Sequence, residues 1–211
     1  MVKYSAVGII SFKEVSERIP GKNFREFAGK PLYEHIIRKA LESNLQRIFV
    51  CTNSKEAKTR VQQMGAEIIE CPDWYFDKTT TGDKLLFVPS EEIDADIFVQ
   101  LFVTAPFLRT STINEAIKIL SEKNEYDSVL TAQSRHEWCW YKGNPITYYP
   151  GNLPRSQDAF PLVVETTGLY AITGKALKEL RKRLENHPYF LEIDEIEGWD
   201  IDEPLQFKIA E

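Results

Sequence analysis

Cysteine and histidine are scarce in this chain. Cys51, Cys71 and Cys139 are odd in number and form no C-x-x-C pair, which argues against a disulfide framework and a zinc site. Cys51 lies in an apolar run and reads as a small buried residue in a reduced compartment. His35, His136 and His187 are scattered without metal-ligand spacing. No apolar run approaches the ~18 residues of a membrane span, and Met1–Phe12 carries no small-residue cleavage site. A cytoplasmic protein with no membrane partner is expected. Positive charge is also short. Lysine and arginine number 26 against 32 acidic residues, a net charge of −6. That balance, with no RRM, KH or helix-turn-helix pattern, disfavours nucleic acid as a partner. Internal repeats and low-complexity tracts are lacking as well.

What remains is ordinary globular composition over 211 residues, 43% apolar and 27% charged. This suits one domain, 1–211, long enough to bury a core without staples. Apolar strand-like runs stand at Ser5–Phe12, Ile48–Thr52, Ala66–Ile69, Asp96–Phe102, Ser128–Gln133, Leu169–Ile172 and Phe190–Ile196. Helical spacing or punctuation places helices after Pro31, over Ser54–Gly65, Thr112–Leu120, Lys175–Arg183 and Pro204–Ala210. Cys71–Asp83 reads as irregular, and Trp138–Asp158, rich in aromatics, Pro, Gly and Asn, as an insertion. Strand and helix alternate, which implies an α/β fold: a three-layer, mostly parallel, doubly wound sheet. Ligands of such sheets bind beyond the carboxyl ends of the strands, so the loops after Phe12, Thr52 and Phe102 are the places to look.

The loop after the first strand reads KEVSERIPGKN (Lys13–Asn23). It is not a P-loop, which needs G-x-x-x-x-G-K-S/T, nor a dinucleotide fingerprint, which needs G-x-G-x-x-G. Its cations Lys13, Arg18 and Lys22 nonetheless suit a polyphosphate. By composition alone a solvated charged loop is the simpler reading.

The order of residues adds weight. RIPGKN followed by FAGKPL (Arg18–Asn23, then Phe27–Leu32) resembles the opening motif of the acylneuraminate (CMP-sialic acid) synthetases, within the cytidylyltransferases. QLFVTAPFLRT (Gln100–Thr110), NLPRSQD (Asn152–Asp158) and WDIDEPLQF (Trp199–Phe207) resemble later blocks of that family, in the same order. The resemblance spreads over nearly the whole chain. It implies a nucleotidyltransferase sheet of the nucleotide-diphospho-sugar transferase type. The implied reaction moves CMP from CTP to an acidic, sialic-acid-like 2-keto sugar or related acceptor. Pyrophosphate leaves, Mg2+ is the cofactor, and the product feeds surface-polysaccharide synthesis. It also implies a homodimer, with a dimerisation excursion at about residues 135–155.

Residue by residue, the resemblance assigns Arg18, Lys22 and Asp202 to catalysis. It assigns Lys13, Ser16, Arg18, Lys22, Asn23, Thr79 and Thr81 to the nucleotide, and Gln100, Arg155, Gln157 and Asp158 to the acceptor. Asp200 and Asp202 alternate in a strand-like DID, so they should share a face and suit Mg2+. The competing reading is the N-cap region of the next helix. Arg109 stays open between shaping a turn and a structural carboxylate pair, and Trp138 and Trp140 read as packing or interface residues. The chain departs from the family at Lys13, Val15, Glu17, Cys71, TTTGD (Thr79–Asp83) and ETTGLY (Glu165–Tyr170). Those departures motivate an alternative: a catalytically weak relative that binds a nucleotide or nucleotide-sugar as a partner or regulatory subunit.

Overall fold

Each apolar run becomes a strand because both sheet faces are covered. In the computed structural model, which describes residues 4–123, 125–184 and 187–211, seven strands form the central sheet. They are β1 (Ala6–Ser11), β2 (Arg47–Cys51), β3 (Glu67–Ile68), β4 (Ile97–Leu101), β5 (Ser128–Arg135), β6 (Leu162–Thr173) and β7 (Pro188–Glu192). Their order is β7-β5-β6-β4-β1-β2-β3. β6 runs antiparallel to both neighbours, and the other pairings are parallel. Met1–Lys3, the start of the segment read for a leader, lie outside the described residues.

The α-helices among the described residues are α1 (Leu32–Leu41), α2 (Lys55–Met64), α3 (Gly82–Ser90), α4 (Thr110–Glu122), α5 (Gly174–Leu180) and α6 (Pro204–Ala210). Alternate strand residues feed two separate cores. Ala6, Ile10, Val50 and Val99 pack with residues of α1, α2, α4 and α6. Val7, Ile9, Phe49 and Phe98 pack with Leu86 of α3 and Leu177 of α5. The result is the expected three-layer, mostly parallel, doubly wound sheet. Among the described residues no helix is long and apolar enough to cross a membrane.

Four elements differ from the sequence expectation. Gly82–Ser90 is a helix, which solid apolar residues and the interior Pro89 had concealed. The strand expected at Leu169–Ile172 begins at Leu162, with a register irregularity between Glu165 and Tyr170. The helix read to Arg183 stops at Leu180, where Arg181 adopts a left-handed φ of 55°, and the last strand ends at Glu192 rather than Ile196. Within the Trp138–Asp158 insertion, Trp140–Tyr141 and Asn144–Pro145 form a small antiparallel ribbon. Trp138, Trp140, Tyr141 and Tyr149 are exposed there.

The order of the sheet fixes where a ligand can enter. From β1 the chain winds outward through β2 and β3, then returns to place β4 on the other side of β1. The crevice at the carboxyl ends of β1 and β4 is therefore the switch point of the fold.

Candidate functional site

A cleft of about 430 Å³ opens at that switch point. Its floor is Ser11 and Phe12 from the end of β1 and Phe102, Val103 and Thr104 from the end of β4. The cationic loop forms one wall. Buried Ile19 pins it to the core, and Gly21 turns it at φ 63°, a conformation that favours glycine. The turn opens a short helical segment, Lys22–Phe24, that buries Lys22 and Asn23. Asn23 Nδ2 donates to the Lys13 carbonyl at 2.9 Å and so closes the loop on itself. Lys13, Ser16, Arg18, Lys22 and Asn23 all line the cleft.

The opposite wall is the Trp199–Glu203 segment, held at both ends. Ile201 N donates to the Thr104 carbonyl at 2.8 Å. At the start of α6, Gln206 Oε1 accepts from Asp202 N at 2.8 Å and Glu203 N at 2.7 Å, within a capping box. Ile201 is fully buried, while Asp200 and Asp202 both line the cleft. The alternation expected of the DID is thus present, although the segment is an extended connection and not a strand.

Charges bridge the two walls. Lys22 Nζ donates to the Ile201 carbonyl at 2.7 Å and to Asp202 Oδ1 at 3.1 Å. Arg18 Nη2 meets the same Asp202 oxygen at 2.8 Å, and its Nη1 reaches Glu203 at 3.4 Å. Slight burial opposes the Arg18 charge, but Asp202 and Glu203 hold its pKa above the ordinary value. Asp202 thus balances two cations that a polyanion would attract.

Asp200 is different: its Oδ1 is buried with no hydrogen-bond partner. An orphaned carboxylate oxygen beside a second carboxylate is a donor set that suits a hard cation. Among the described residues no group of three or more His, Cys, Asp or Glu could hold a metal by itself. Two carboxylates still fit Mg2+, which usually takes its other ligands from water and substrate phosphates.

The third side is the Tyr75–Leu85 segment. Burial and the neighbouring Cys51 push the Tyr75 phenol up, so it stays protonated. It donates to the Leu85 carbonyl at 2.6 Å and pairs with Ser11 Oγ at 2.5 Å, tying this segment to the end of β1. Neither Tyr75 nor Ser11 carries a motif that would have marked it.

Not every expected residue converges here. Thr79 lines an adjoining depression with Lys13 and Val15. Thr81 caps α3, accepting from Lys84 N, and Thr80 is the threonine of this segment in the main cleft. Gln100 is buried behind the cleft. Its Nε2 donates to the Gly82 carbonyl at 3.0 Å, and its Oε1 has no partner. Arg155, Gln157 and Asp158 sit on an exposed turn at the insertion. There Arg155 pairs with Asp158 at 2.7 Å, and none of the three lines the cleft. Arg109 makes the structural pair, with Asp194 at 2.5 Å and Glu197 at 3.2 Å. Glu17 is exposed at the rim.

Residues 7–144 match a family described as cytidylyltransferase. An N-acylneuraminate cytidylyltransferase from Danio rerio is 26% identical over 93% of this chain and 47% of its own length. A CMP-N,N'-diacetyllegionaminic acid synthase from Legionella pneumophila is 27% identical over 97% of this chain and 94% of its own. The chain spans about half the length of several curated relatives it matches. Among solved structures, a CMP:2-keto-3-deoxy-manno-octonic acid synthetase complexed with CTP superposes with a TM-score of 0.74 at 17% identity. That superposition covers 98% of this chain and 97% of that one, a likeness of fold.

Proposed function

Since the chain belongs to the cytidylyltransferase family, we propose that it moves CMP from CTP to a hydroxyl of an acidic 2-keto sugar, with release of pyrophosphate. The observation that carries this reading is the meeting of Arg18, Lys22, Asp200 and Asp202 in one cleft at the switch point. Attack on the α-phosphorus is governed by positioning and by charge stabilisation on the phosphates. Both roles are available to these side chains.

In the free protein Asp202 holds Arg18 and Lys22. The triphosphate competes for those cations and exchanges one carboxylate for several phosphate oxygens. Lys22, buried and aimed by the Ile201 carbonyl, keeps its place and stabilises charge on the α-phosphate. Arg18, more exposed, follows the leaving pyrophosphate. Lys13, Ser16 and Asn23 shape the loop around the phosphates, and Thr79 and Thr80 border the base. Asp200 and Asp202 would hold Mg2+, whose charge offsets that of the phosphates. Gln100, buried behind the cleft, would have to turn its unpartnered Oε1 forward to meet the acceptor. Both carboxylates of the DID line the cleft, which favours a transferase over a binding-only relative.

The names of the relatives support a CMP-activated acidic sugar as product. Precursor supply for a surface polysaccharide, a cytoplasmic location and a homodimer joined through the 135–155 excursion complete the proposal. Pyrophosphate release tests it, with CTP, Mg2+ and a panel of 2-keto acid sugars. Release that requires both CTP and one of the acids is expected. Release from CTP with no acid dependence, or none at all, would remove the reading.

A further inference from the structure

We infer that Arg183 selects the acceptor by its carboxylate, an inference that rests on the transferase reading above. No motif marks Arg183, but the fold builds a seat for it. The left-handed turn at Arg181 ends α5 and sends the chain back toward α3. There Arg183 N donates to Asp83 Oδ1 at 3.0 Å. Its guanidinium lies 3.8 Å over the Tyr170 ring. Gly82 also abuts it: an added Cβ there would stand 2.3 Å from Nη1 and 2.9 Å from Cζ. Ring and glycine hold the cation, and its side chain is only a quarter exposed.

Two polar groups without partners lie between Gly82 and the cleft wall. Gln100, bonded to the Gly82 carbonyl, has a buried free Oε1. Thr167, which like Asp200 lines the cleft, has a buried Oγ1 without a partner. Phe102 of the cleft floor packs edge-on against Tyr170, 5.9 Å between ring centres. The ring on which Arg183 stacks thus touches the cleft floor, on the side of β6. Buried polar atoms without partners are costly unless something supplies the bond. A sugar, with hydroxyls that both donate and accept, supplies it.

The neighbouring charge decides which anion fits. Glu165 Oε1 is 3.8 Å from Arg183 Nη2, beyond hydrogen-bond reach, and the Tyr170 hydroxyl holds Glu165 in place. A guanidinium stacked on its face is recognised in its plane by a flat, bidentate carboxylate. Glu165 repels a dianionic phosphomonoester more strongly than a singly charged carboxylate. The seat accordingly favours a sugar acid over a sugar phosphate.

The test separates this inference from the reading beneath it. Pyrophosphate release is followed with N-acetylneuraminate and 3-deoxy-manno-octulosonate, each as free acid and as carboxamide, and with glucose 1-phosphate. CTP affinity is measured separately by calorimetry. With the wild-type protein the acid is expected to outperform its amide by roughly tenfold or more, the scale of a lost charged contact, with glucose 1-phosphate inactive. Arg183→Gln should raise the acceptor KM by a similar factor and abolish the preference of acid over amide. Its CTP affinity should stay within about twofold of wild type, since the partners described for Arg183, namely Asp83, Glu165 and Tyr170, lie outside the cationic loop. Arg183→Lys should fall between, and it carries the comparison if Arg183→Gln does not fold. Three results would overturn the inference: an unchanged acid preference in the variant, turnover of glucose 1-phosphate by the wild type, or CTP binding without turnover of either acid. If the wild-type protein does not bind CTP, the nucleotide reading itself fails, and this inference with it.

Discussion

Removing the Lys22 ammonium probes the cationic loop most sharply. The residue is 7% exposed, and its Nζ lies 2.7 Å from the Ile201 carbonyl and 3.1 Å from Asp202. Lys22→Ala therefore has two separable consequences. In the nucleotide complex it deletes a charge-assisted contact worth roughly 1.5–3 kcal/mol, a loss in CTP affinity of about 10- to 150-fold. In the free protein it leaves the Ile201 carbonyl without its buried donor, at a cost of about 1–3 kcal/mol. For a chain of this size each kcal/mol lowers Tm by roughly 2–4 °C. Calorimetric titration with CTP, beside a thermal melt, reads both. Lys22→Arg should bind CTP at an intermediate level, because the buried slot fits a narrow ammonium and not a broad guanidinium fork. If folded Lys22→Ala bound CTP within about threefold of wild type, Lys22 would not touch the phosphates, and the polarity of the cleft would need another explanation.

Other outcomes follow from the same contacts. Asp202→Asn releases Arg18 and Lys22, so metal-free CTP binding should hold or improve while Mg2+-dependent turnover falls at least about a hundredfold; a steady-state assay across a Mg2+ titration checks both. That variant should also lose about 1 kcal/mol of stability, since Asp202 is paired and does not merely repel Asp200. Glu34 is buried, and hydrogen bonds from Arg60, with a further contribution from Arg38, hold its pKa below the ordinary 4.5 despite burial. Its contribution to stability is therefore complete above about pH 4.5 and fades as pH falls toward the lowered folded value. Glu34→Gln should flatten the acid limb of Tm against pH. Gly174→Ala would drive a Cβ to 2.2 Å from the Ala95 carbonyl oxygen. Backbone cannot yield there cheaply, so Tm should drop by about 3 °C or more.

Much of this architecture is legible in the residues because of how the sheet is buried. β1, β2 and β4 have a core on each face, so they read as solid apolar runs. Ser54 and Gly65 bracket α2 as cap and stop, and the structure uses them so: Ser54 accepts from Ala57 N, and Gly65 turns at φ 100°. Strand direction is not encoded in periodicity, so the antiparallel sense of β6 had no signal. Its first half, Leu162–Thr167 (LVVETT), gathers its apolar residues in one short block without alternation, between a Pro-rich insertion and Gly168. α3 escaped because Leu85–Val88 is a block without a 3.6-residue rhythm, followed by Pro89.

Within the site, the loop cations and the DID carboxylates were legible because each belongs to a contiguous motif whose neighbours aim it. Tyr75, Thr80 and Thr167 were not, because they reach the cleft from segments whose path depends on long-range packing. Thr79 and Thr81 show how narrow that margin is: one residue either way of Thr80 faces another depression or caps a helix. Arg155, Gln157 and Asp158 had a motif but no location, since an exposed insertion can carry them anywhere.

Nucleotide selectivity reads out whether the cleft is built for cytidine. CTP, UTP, ATP and GTP, each with Mg2+, are titrated into the protein by calorimetry at one salt concentration. CTP is expected to bind at least about tenfold tighter than the others, and Lys22→Ala to erase most of that binding. Equal affinity for all four nucleotides, or a purine bound more tightly than CTP, would contradict it.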